Sequence, residues 1–143
     1  MLLDALNPED MIVFSPEKEK KREITIFTDT DCGYCRKLHK EVSRLNSMGI
    51  EVRYLAFPRG GVSFNAYSDL SSAWCSNNKR DALNKLKDRA SIPKMTCENN
   101  PVAAQYKLGN AMGVTATPAA VLPDGQLIMG YRPASEWKKV LGL

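Results

Sequence analysis

Apolar residues follow two different periods along this chain. Short runs rich in β-branched and aromatic residues predict β-strands, and stretches with apolar residues every three to four positions predict helices. Strands are predicted at residues 11–14, 23–29 and 51–57, and at the runs PAAVL and QLIMGY, which flank the turn Pro123-Asp124-Gly125. Helices are predicted at residues 35–48, where Gly49 ends the pattern, and at 65–75, 79–89, 102–112 and 133–143.

The order of these elements predicts an α/β fold. The strand at 23–29, the helix after it and the strand at 51–57 form a β-α-β unit, which calls for a right-handed crossover and parallel strands. Pro16 follows the first strand closely and places that strand at a sheet edge. Residues from about 64 to 112 form a helical insertion before the C-terminal β-hairpin. A chain of 143 residues is long enough for one such domain, here residues 11–143.

Composition excludes several classes of function. Hydrophobic residues make up 43% of the chain and charged residues 25%, a balance typical of globular domains. The net charge of +4 does not indicate a nucleic-acid partner, because the basic run EKEKKRE alternates in sign and is typical of a solvated loop. No apolar run approaches the length of a membrane span. The first ten residues lack the pattern of a secretory signal, so outside the cytosol we expect a mature or truncated chain.

Four cysteines carry the candidate chemistry. Cys32 and Cys35 stand three apart in DTDCGYCRKL, between a predicted strand and a predicted helix. The free N–H groups and the macrodipole of a helix's first turn stabilise a thiolate. We therefore expect Cys32, on an exposed loop, to be the nucleophile of thiol–disulfide exchange, and Cys35, one turn deeper, to resolve the mixed disulfide. Gly33 and Tyr34 are expected to affect the bridge geometry, with Gly33 admitting a partner's backbone.

Three alternatives remain open for this pair: a zinc site, a purely structural bridge, or two inert core thiols. Zinc would normally need four ligands, but Cys75 and Cys97 lie 22 positions apart and the only histidine is His39. A bridge across three positions would close a tiny loop and stabilise little. His39, four residues after Cys35, either tunes the thiols or is an ordinary helix-face residue. No metal and no cofactor are expected.

The motifs together resemble a known family. A strand, a C-x-x-C motif that opens a helix, and a distant Thr117-Pro118 before a hairpin resemble the thioredoxin superfamily. The stretches FTDTDCGYCRKLH, GIEVRYLAFPR, AWC and TPAAVLPDGQLIMGY are similar to the catalytic domains of the DsbC and DsbG disulfide isomerases of the bacterial periplasm. The similarity extends from about residue 11 to residue 141. It implies a thioredoxin-like fold and a disulfide isomerase or reductase that acts on protein disulfides.

The resemblance also assigns roles to residues. It implies that Cys32 attacks and Cys35 resolves, that Gly33, Tyr34, Thr117 and Pro118 contact substrate, and that the Thr117–Pro118 bond is cis. It further implies a structural disulfide between Cys75 and Cys97, which fits an oxidising compartment. A membrane reductase of the DsbD type would keep the active pair reduced. The family's dimerisation domain is not part of this sequence, and residues 1–10 resemble the end of its linker helix, so we expect a monomer as given.

The chain departs from ordinary thioredoxins at two positions. The tryptophan before the first cysteine is replaced by Asp31, and the buried acid six positions before it by Ile26. Asp29 is the alternative acid near the thiols, or it only caps the helix region. Two further hypotheses stay open: a DsbG-like reductase or chaperone, and a binding module whose cysteines are incidental. Apolar residues around 57–64, if exposed, would support the binding module.

Overall fold

Five β-strands form one mixed sheet in the computed structural model, which describes residues 6–61 and 65–143. The strands are β1 (Ile12–Phe14), β2 (Arg22–Thr28), β3 (Ile50–Ala56), β4 (Ala119–Val121) and β5 (Leu127–Met129). Their order in the sheet is β1-β3-β2-β4-β5; β2 and β3 are parallel, and the other pairs are antiparallel. The predicted α/β fold is confirmed, with β1 at an edge and a β4–β5 hairpin.

Six α-helices surround this sheet in the described part of the chain. They are α1 (Gly33–His39), α2 (Val42–Ser47), α3 (Asn65–Trp74), α4 (Lys79–Lys87), α5 (Val102–Met112) and α6 (Ala134–Val140), and a short 3-10 helix (Pro8–Asp10) precedes β1. The predicted boundaries of α3, α4 and α5 differ from these by two residues at most. The helices between residues 6 and 143 that the structure describes are all too short or too polar to cross a bilayer.

The central strand β2 is buried on both faces from Ile24 to Thr28, a segment of β-branched and aromatic residues. On one face Ile24 and Ile26 pack into the larger core, which the side chains of α1, α2, α3, α4 and α6 complete. On the other face Phe27 packs with Leu55 and Phe57 in a smaller core beside α5. Because β2 has a paired strand on each side and a packed layer on each face, its carboxyl end is a rigid base for the loop that follows.

The prediction of one helix at 35–48 is wrong in one respect, because the helix is interrupted at residues 40 and 41. The Glu41 N–H bonds to the Leu38 carbonyl, a tighter three-residue spacing, and the carboxylate of Glu41 lies 3.4 Å from the backbone N of Ala134. Leu38, Val42 and Leu45 still bury the same face. The pattern ends at Gly49 as predicted, where φ is +87° and a Cβ would lie 2.9 Å from the Lys21 side chain.

A disulfide between Cys75 and Cys97 closes the segment that contains α4. The two Cα atoms are 5.6 Å apart, within the usual range for a bridge. Both cysteines are therefore unavailable as zinc ligands. Of the region considered as an exposed apolar surface, Phe57 is only 4% exposed and packs against Phe27 and Tyr106, which removes it as support for a binding module. Phe64 and residues 1–5, predicted to end a linker helix, lie outside the described residues.

Candidate active site

Cys32 and Cys35 lie where β2 leads into α1. Cys32 is the N-cap of α1, and its Sγ accepts a hydrogen bond from the backbone N–H of Cys35 at 3.2 Å. Both cysteines are free thiols in this structure. Cys32 is only 3% exposed and Cys35 1%, so the expectation of an exposed Cys32 is wrong. Thr117 packs over the sulfur, whereas the neighbours Asp31 and Gly33 are exposed, so the sulfur lies just beneath the surface.

Several hydrogen bonds lower the pKa of Cys32 from an ordinary 9.0 to about 5. The largest contribution is the hydrogen bond that the Cys35 thiol donates to the Cys32 sulfur; burial opposes it. The Thr117 hydroxyl, whose Oγ1 is 3.4 Å from Sγ, the backbone N–H of Cys35 and the positive charge of Arg59 lower the pKa further. Each of these donors or charges favours the anion over the thiol. At neutral pH Cys32 is therefore a thiolate.

The same interaction raises the pKa of Cys35, because that thiol holds its proton in the bond to Cys32. Burial raises the pKa further. Three groups act in the opposite direction: the charge of Lys87, the Thr117 hydroxyl and the backbone N–H of Asp29, which donates to the Cys35 sulfur. The two sulfurs thus share one proton, and the negative charge lies on Cys32.

The Thr117–Pro118 segment lies directly against the pair. Its peptide bond is cis, and both residues are buried at the start of β4. The carbonyl oxygen of Thr117 is 3.5 Å from the Cys32 sulfur, close to the hydroxyl contact described above. The Pro118 carbonyl accepts from the N–H of Gly130 at 2.8 Å, which ties this segment to the end of β5. The fold therefore brings together residues 85 positions apart in sequence.

Asp29 is buried, but its carboxylate holds the loop rather than capping α1. One oxygen accepts from the N–H of Thr30 at 2.8 Å; the other accepts from the backbone N and from Nε of Arg59, at 3.0 and 3.1 Å. The Arg59 guanidinium also donates to the carbonyl of Asp31. Sequence patterns gave no reason to single out Arg59, because it lies in a loop after β3 and meets the site only in three dimensions.

His39 is directed away from the sulfurs. Its Nδ1 lies 2.8 Å from the hydroxyl of Tyr54, and its Nε2 lies 2.7 Å from Oδ1 of Asn84. Burial lowers the pKa of His39 to about 4, so the ring is neutral at physiological pH. With both nitrogens engaged, His39 supports the packing of α1 against β3 and α4. This arrangement favours the helix-face interpretation over a direct role at the thiols.

Lys87 is the second residue near the site that the sequence patterns did not reveal. It ends α4, is only 5% exposed, and donates to Thr28 Oγ1 and to the backbone carbonyl of Asp29. Burial lowers its pKa to about 8, against the favourable charge of the Cys35 and Cys32 sulfurs. A signal existed: Leu83 and Lys87 are four positions apart, which puts this lysine on the apolar face of α4.

Gly33 and Tyr34, the residues between the cysteines, are both exposed. Tyr34 is 64% exposed, and its ring stacks on Tyr131 with centroids 6.4 Å apart. Lys37 places its ammonium 4.6 Å from the centroid of Tyr131. A Cβ added to Gly33 would meet only the Arg36 side chain, at 3.9 Å, so the surface at Gly33, beside the cysteine pair, is open. An aromatic and cationic rim therefore borders one side of the cysteine pair.

Comparison with known proteins agrees with this geometry. The chain is 42% identical over 143 residues to the thiol:disulfide interchange protein DsbC of Escherichia coli strain K12, covering 99% of this chain and 60% of that protein. It is 39% identical over 137 residues to the DsbC protein of Haemophilus influenzae, covering 94% of this chain and 59% of that protein. The chain thus spans about 60% of the length of these curated relatives.

Solved structures share the fold. A disulfide interchange protein from Neisseria gonorrhoeae matches with a TM-score of 0.81 at 23% identity, covering 95% of this chain and 96% of that one. A periplasmic thioredoxin-like protein from Salmonella enterica serovar Typhimurium matches with a TM-score of 0.73 at 18% identity, covering 96% of this chain and 90% of that one. A family model described as a thioredoxin-like domain matches residues 8–143. The resemblance seen in the sequence is confirmed, and the chain belongs to the family of thioredoxin-like domains.

Proposed function

We propose that this chain is the catalytic domain of a thiol–disulfide oxidoreductase that acts on protein disulfides. The observation that carries the proposal is the charge distribution of the cysteine pair, a Cys32 thiolate at the start of α1 with the Cys35 thiol behind it. A thiol of low pKa also leaves readily, so one sulfur can enter a substrate disulfide and be expelled again. Relatives named thiol:disulfide interchange proteins support the same activity.

The reaction begins when the Cys32 thiolate attacks one sulfur of a substrate disulfide. The substrate S–S bond breaks, a mixed disulfide forms, and the other substrate sulfur leaves as a thiolate. If a substrate thiolate then attacks the mixed disulfide, Cys32 is released and the substrate has a rearranged bridge. If Cys35 instead loses its proton and attacks the Cys32 sulfur, a Cys32–Cys35 disulfide forms and the substrate leaves reduced by two electrons. The first outcome is isomerisation and the second is reduction.

Four residues around the pair are proposed to contact substrate: Gly33, Tyr34, Thr117 and Pro118. Gly33 leaves open space for an approaching backbone, and Tyr34 offers an exposed ring. Thr117 touches the Cys32 sulfur with both its hydroxyl and its carbonyl oxygen. These two groups of residues lie beside Cys32, one in the first turn of α1 and the other at the start of β4.

A two-variant experiment tests the activity. Reduced protein is mixed with a disulfide-scrambled ribonuclease, and products are separated on non-reducing gels after acid quenching. The Cys35→Ala variant should accumulate a mixed disulfide with the substrate, because attack proceeds and resolution does not. The Cys32→Ala variant should form none, although it retains one thiol of the pair. Equal trapping by both variants, or by neither, would refute the assignment of Cys32 as the attacking residue.

The finer proposal is a DsbC-like isomerase of the periplasm, kept reduced by a DsbD-type membrane reductase and dimeric in its full form if an N-terminal dimerisation domain exists. It is supported by the 42% identity to DsbC. As the isolated domain, the chain should rearrange scrambled ribonuclease more slowly than a dimeric isomerase, since it offers a single site without an enclosing cleft. Recovery of native ribonuclease activity measures this, and equal rates would contradict it.

A further inference from the structure

Lys87 is a buried cation whose direct hydrogen-bond acceptors are neutral. Its ammonium donates to the Thr28 hydroxyl and, at 3.1 Å, to the backbone carbonyl of Asp29. Burying an ammonium is costly unless an opposite charge compensates it. The Asp29 carboxylate contributes, but it is already bonded to Arg59 at 3.1 Å. The Cys35 sulfur, when ionised, is the anion that raises the pKa of this lysine most.

The backbone of Asp29 links the lysine to the resolving cysteine. Its N–H donates to the Cys35 sulfur, and its carbonyl accepts from Lys87. The ammonium also lies 5.7 Å from the centroid of Tyr54, whose hydroxyl is buried in the same core. The backbone of Asp29 thus lies between Lys87 and Cys35, and because both of these side chains are buried, the lysine's charge is only weakly screened.

Charged and titratable groups face Lys87 from each element around it. From α1 and its N-cap these are Cys35, Cys32 and Arg36; from the loop after β2, Asp29; from β3, Tyr54; and from α1 again His39, whose pKa the lysine's charge lowers. Of these groups, Cys32 changes its charge during the proposed reaction. In the reduced pair it carries the negative charge; in the mixed disulfide it carries none. Of the two sulfurs, only Cys35 can then carry a negative charge that the Lys87 ammonium stabilises.

We propose that Lys87 is a positioning residue for the resolution step of the proposed exchange reaction: its buried ammonium stabilises the Cys35 thiolate once Cys32 is held in a mixed disulfide. The inference rests on the proposed function. In this step Cys35 releases its proton to water, its sulfur bonds to the Cys32 sulfur, and the bond from Cys32 to the substrate breaks. The substrate sulfur leaves as a thiolate and takes up a proton from water. Lys87 therefore favours reduction over rearrangement.

A two-phase reaction with the disulfide reagent dithiobis(nitrobenzoate) separates resolution by Cys35 from the initial attack by Cys32. Attack by Cys32 releases one coloured thionitrobenzoate, and resolution by Cys35 releases the second, so stopped-flow absorbance follows both. Lys87→Met removes the charge at similar volume. Lys87→Arg keeps the charge. Lys85→Met is the matched control, because Lys85 lies on the same helix, is 55% exposed and pairs with Asp81 at its surface.

We expect Lys87→Met to slow the second phase about tenfold or more at neutral pH, with its pH midpoint shifted upward, since one pKa unit is a tenfold change in thiolate. The first phase should be nearly unchanged at that pH, because Cys32 is fully ionised there. Lys87→Arg should restore most of the second-phase rate and its pH profile, and Lys85→Met should match the unmodified protein.

Circular dichroism checks that each variant is folded. If Lys87→Met does not fold, Lys87→Gln replaces it, because glutamine keeps hydrogen bonding without the charge. The inference is overturned if a folded, uncharged variant keeps the second-phase pH profile, or if Lys87→Arg is as slow as the uncharged variants. A missing first phase in the unmodified protein would instead overturn the proposed function, so the two failures are distinguishable.

Discussion

Acidification of the reduced protein should remove the charge of Cys32 and, with it, part of the stability of the fold. With a pKa of about 5, Cys32 is about 99% thiolate at pH 7, whereas an ordinary thiol of pKa 9.0 would be about 1% thiolate. Because the folded pKa lies below the ordinary one, the stabilisation is complete above pH 9 and is lost as the pH falls through 5. At pH 7 it amounts to roughly 3 kcal/mol relative to the protonated state, from two pKa units at 1.36 kcal/mol each.

Two assays measure these quantities. The ultraviolet absorbance of the thiolate, or the rate of iodoacetamide alkylation, should titrate with a midpoint near 5. Urea unfolding of the reduced protein should lose the corresponding free energy between pH 7 and pH 4. The oxidised protein is the internal control, because its Cys32–Cys35 disulfide does not titrate. The difference between reduced and oxidised stabilities therefore isolates the thiolate from the other acidic groups.

The Thr117→Val variant tests one cause of the low pKa of Cys32, the hydrogen bond from the Thr117 hydroxyl. It removes the hydroxyl 3.4 Å from Cys32 and should raise the pKa of Cys32, so alkylation at pH 5 becomes slower. Thr115→Val is the matched control, since that hydroxyl contacts Met129 and not the sulfur. A Cys32 titration midpoint near 9 in the unmodified protein would refute the reasoning. So would equal Cys32 midpoints in the two threonine variants, if the reduced and oxidised forms also kept equal stabilities from pH 7 to pH 4.

Two further perturbations act on the scaffold. Replacing both Cys75 and Cys97 by serine opens a loop of 22 positions and should lower the free energy of unfolding by about 3 kcal/mol, measured by urea titration of the oxidised protein; a loss below about 1 kcal/mol would contradict the crosslink's role. Gly109→Ala places a Cβ 2.5 Å from the Phe57 ring and should lower the free energy of unfolding by about 1–3 kcal/mol. Asn110→Ala, at the exposed neighbouring position, is the control and should have little effect. Equal effects of the two substitutions would contradict the prediction, because they would show that α5 shifts to accommodate the added Cβ.

Local sequence patterns were sufficient to predict the elements of this fold, because the central strands are runs rich in β-branched and aromatic residues and the helices bury one apolar face. The runs at 23–29 and 51–57 became the central strands β2 and β3, and the three insertion helices were located to within two residues. The interruption of the helix at residues 40 and 41 was not predictable, because it depends on Glu41 reaching the N-terminus of α6, about 90 positions away. Contacts between distant elements leave no periodic trace in a single sequence.

The candidate site was likewise predictable from the sequence only in part. The spacing of Cys32 and Cys35 and their place before a helix were sufficient to indicate a low-pKa thiol. Arg59 and Lys87 were missed, since each reaches the site from an element that the local pattern does not connect to it. The prediction that Cys32 is exposed was wrong for a related reason, because Thr117, 85 positions away in sequence, covers the sulfur.

The bridge between Cys75 and Cys97 has a practical consequence for anyone who purifies this protein. Cys97 is exposed and Cys75 is half-buried, so small reducing agents have access to a crosslink that must stay closed while the other pair is opened. Counting the free thiols of the reduced protein in native buffer shows whether this disulfide has survived. Two free thiols indicate that the Cys75–Cys97 disulfide is intact, and four indicate that it has been reduced. Kinetic constants measured on a mixture of the two would describe neither species.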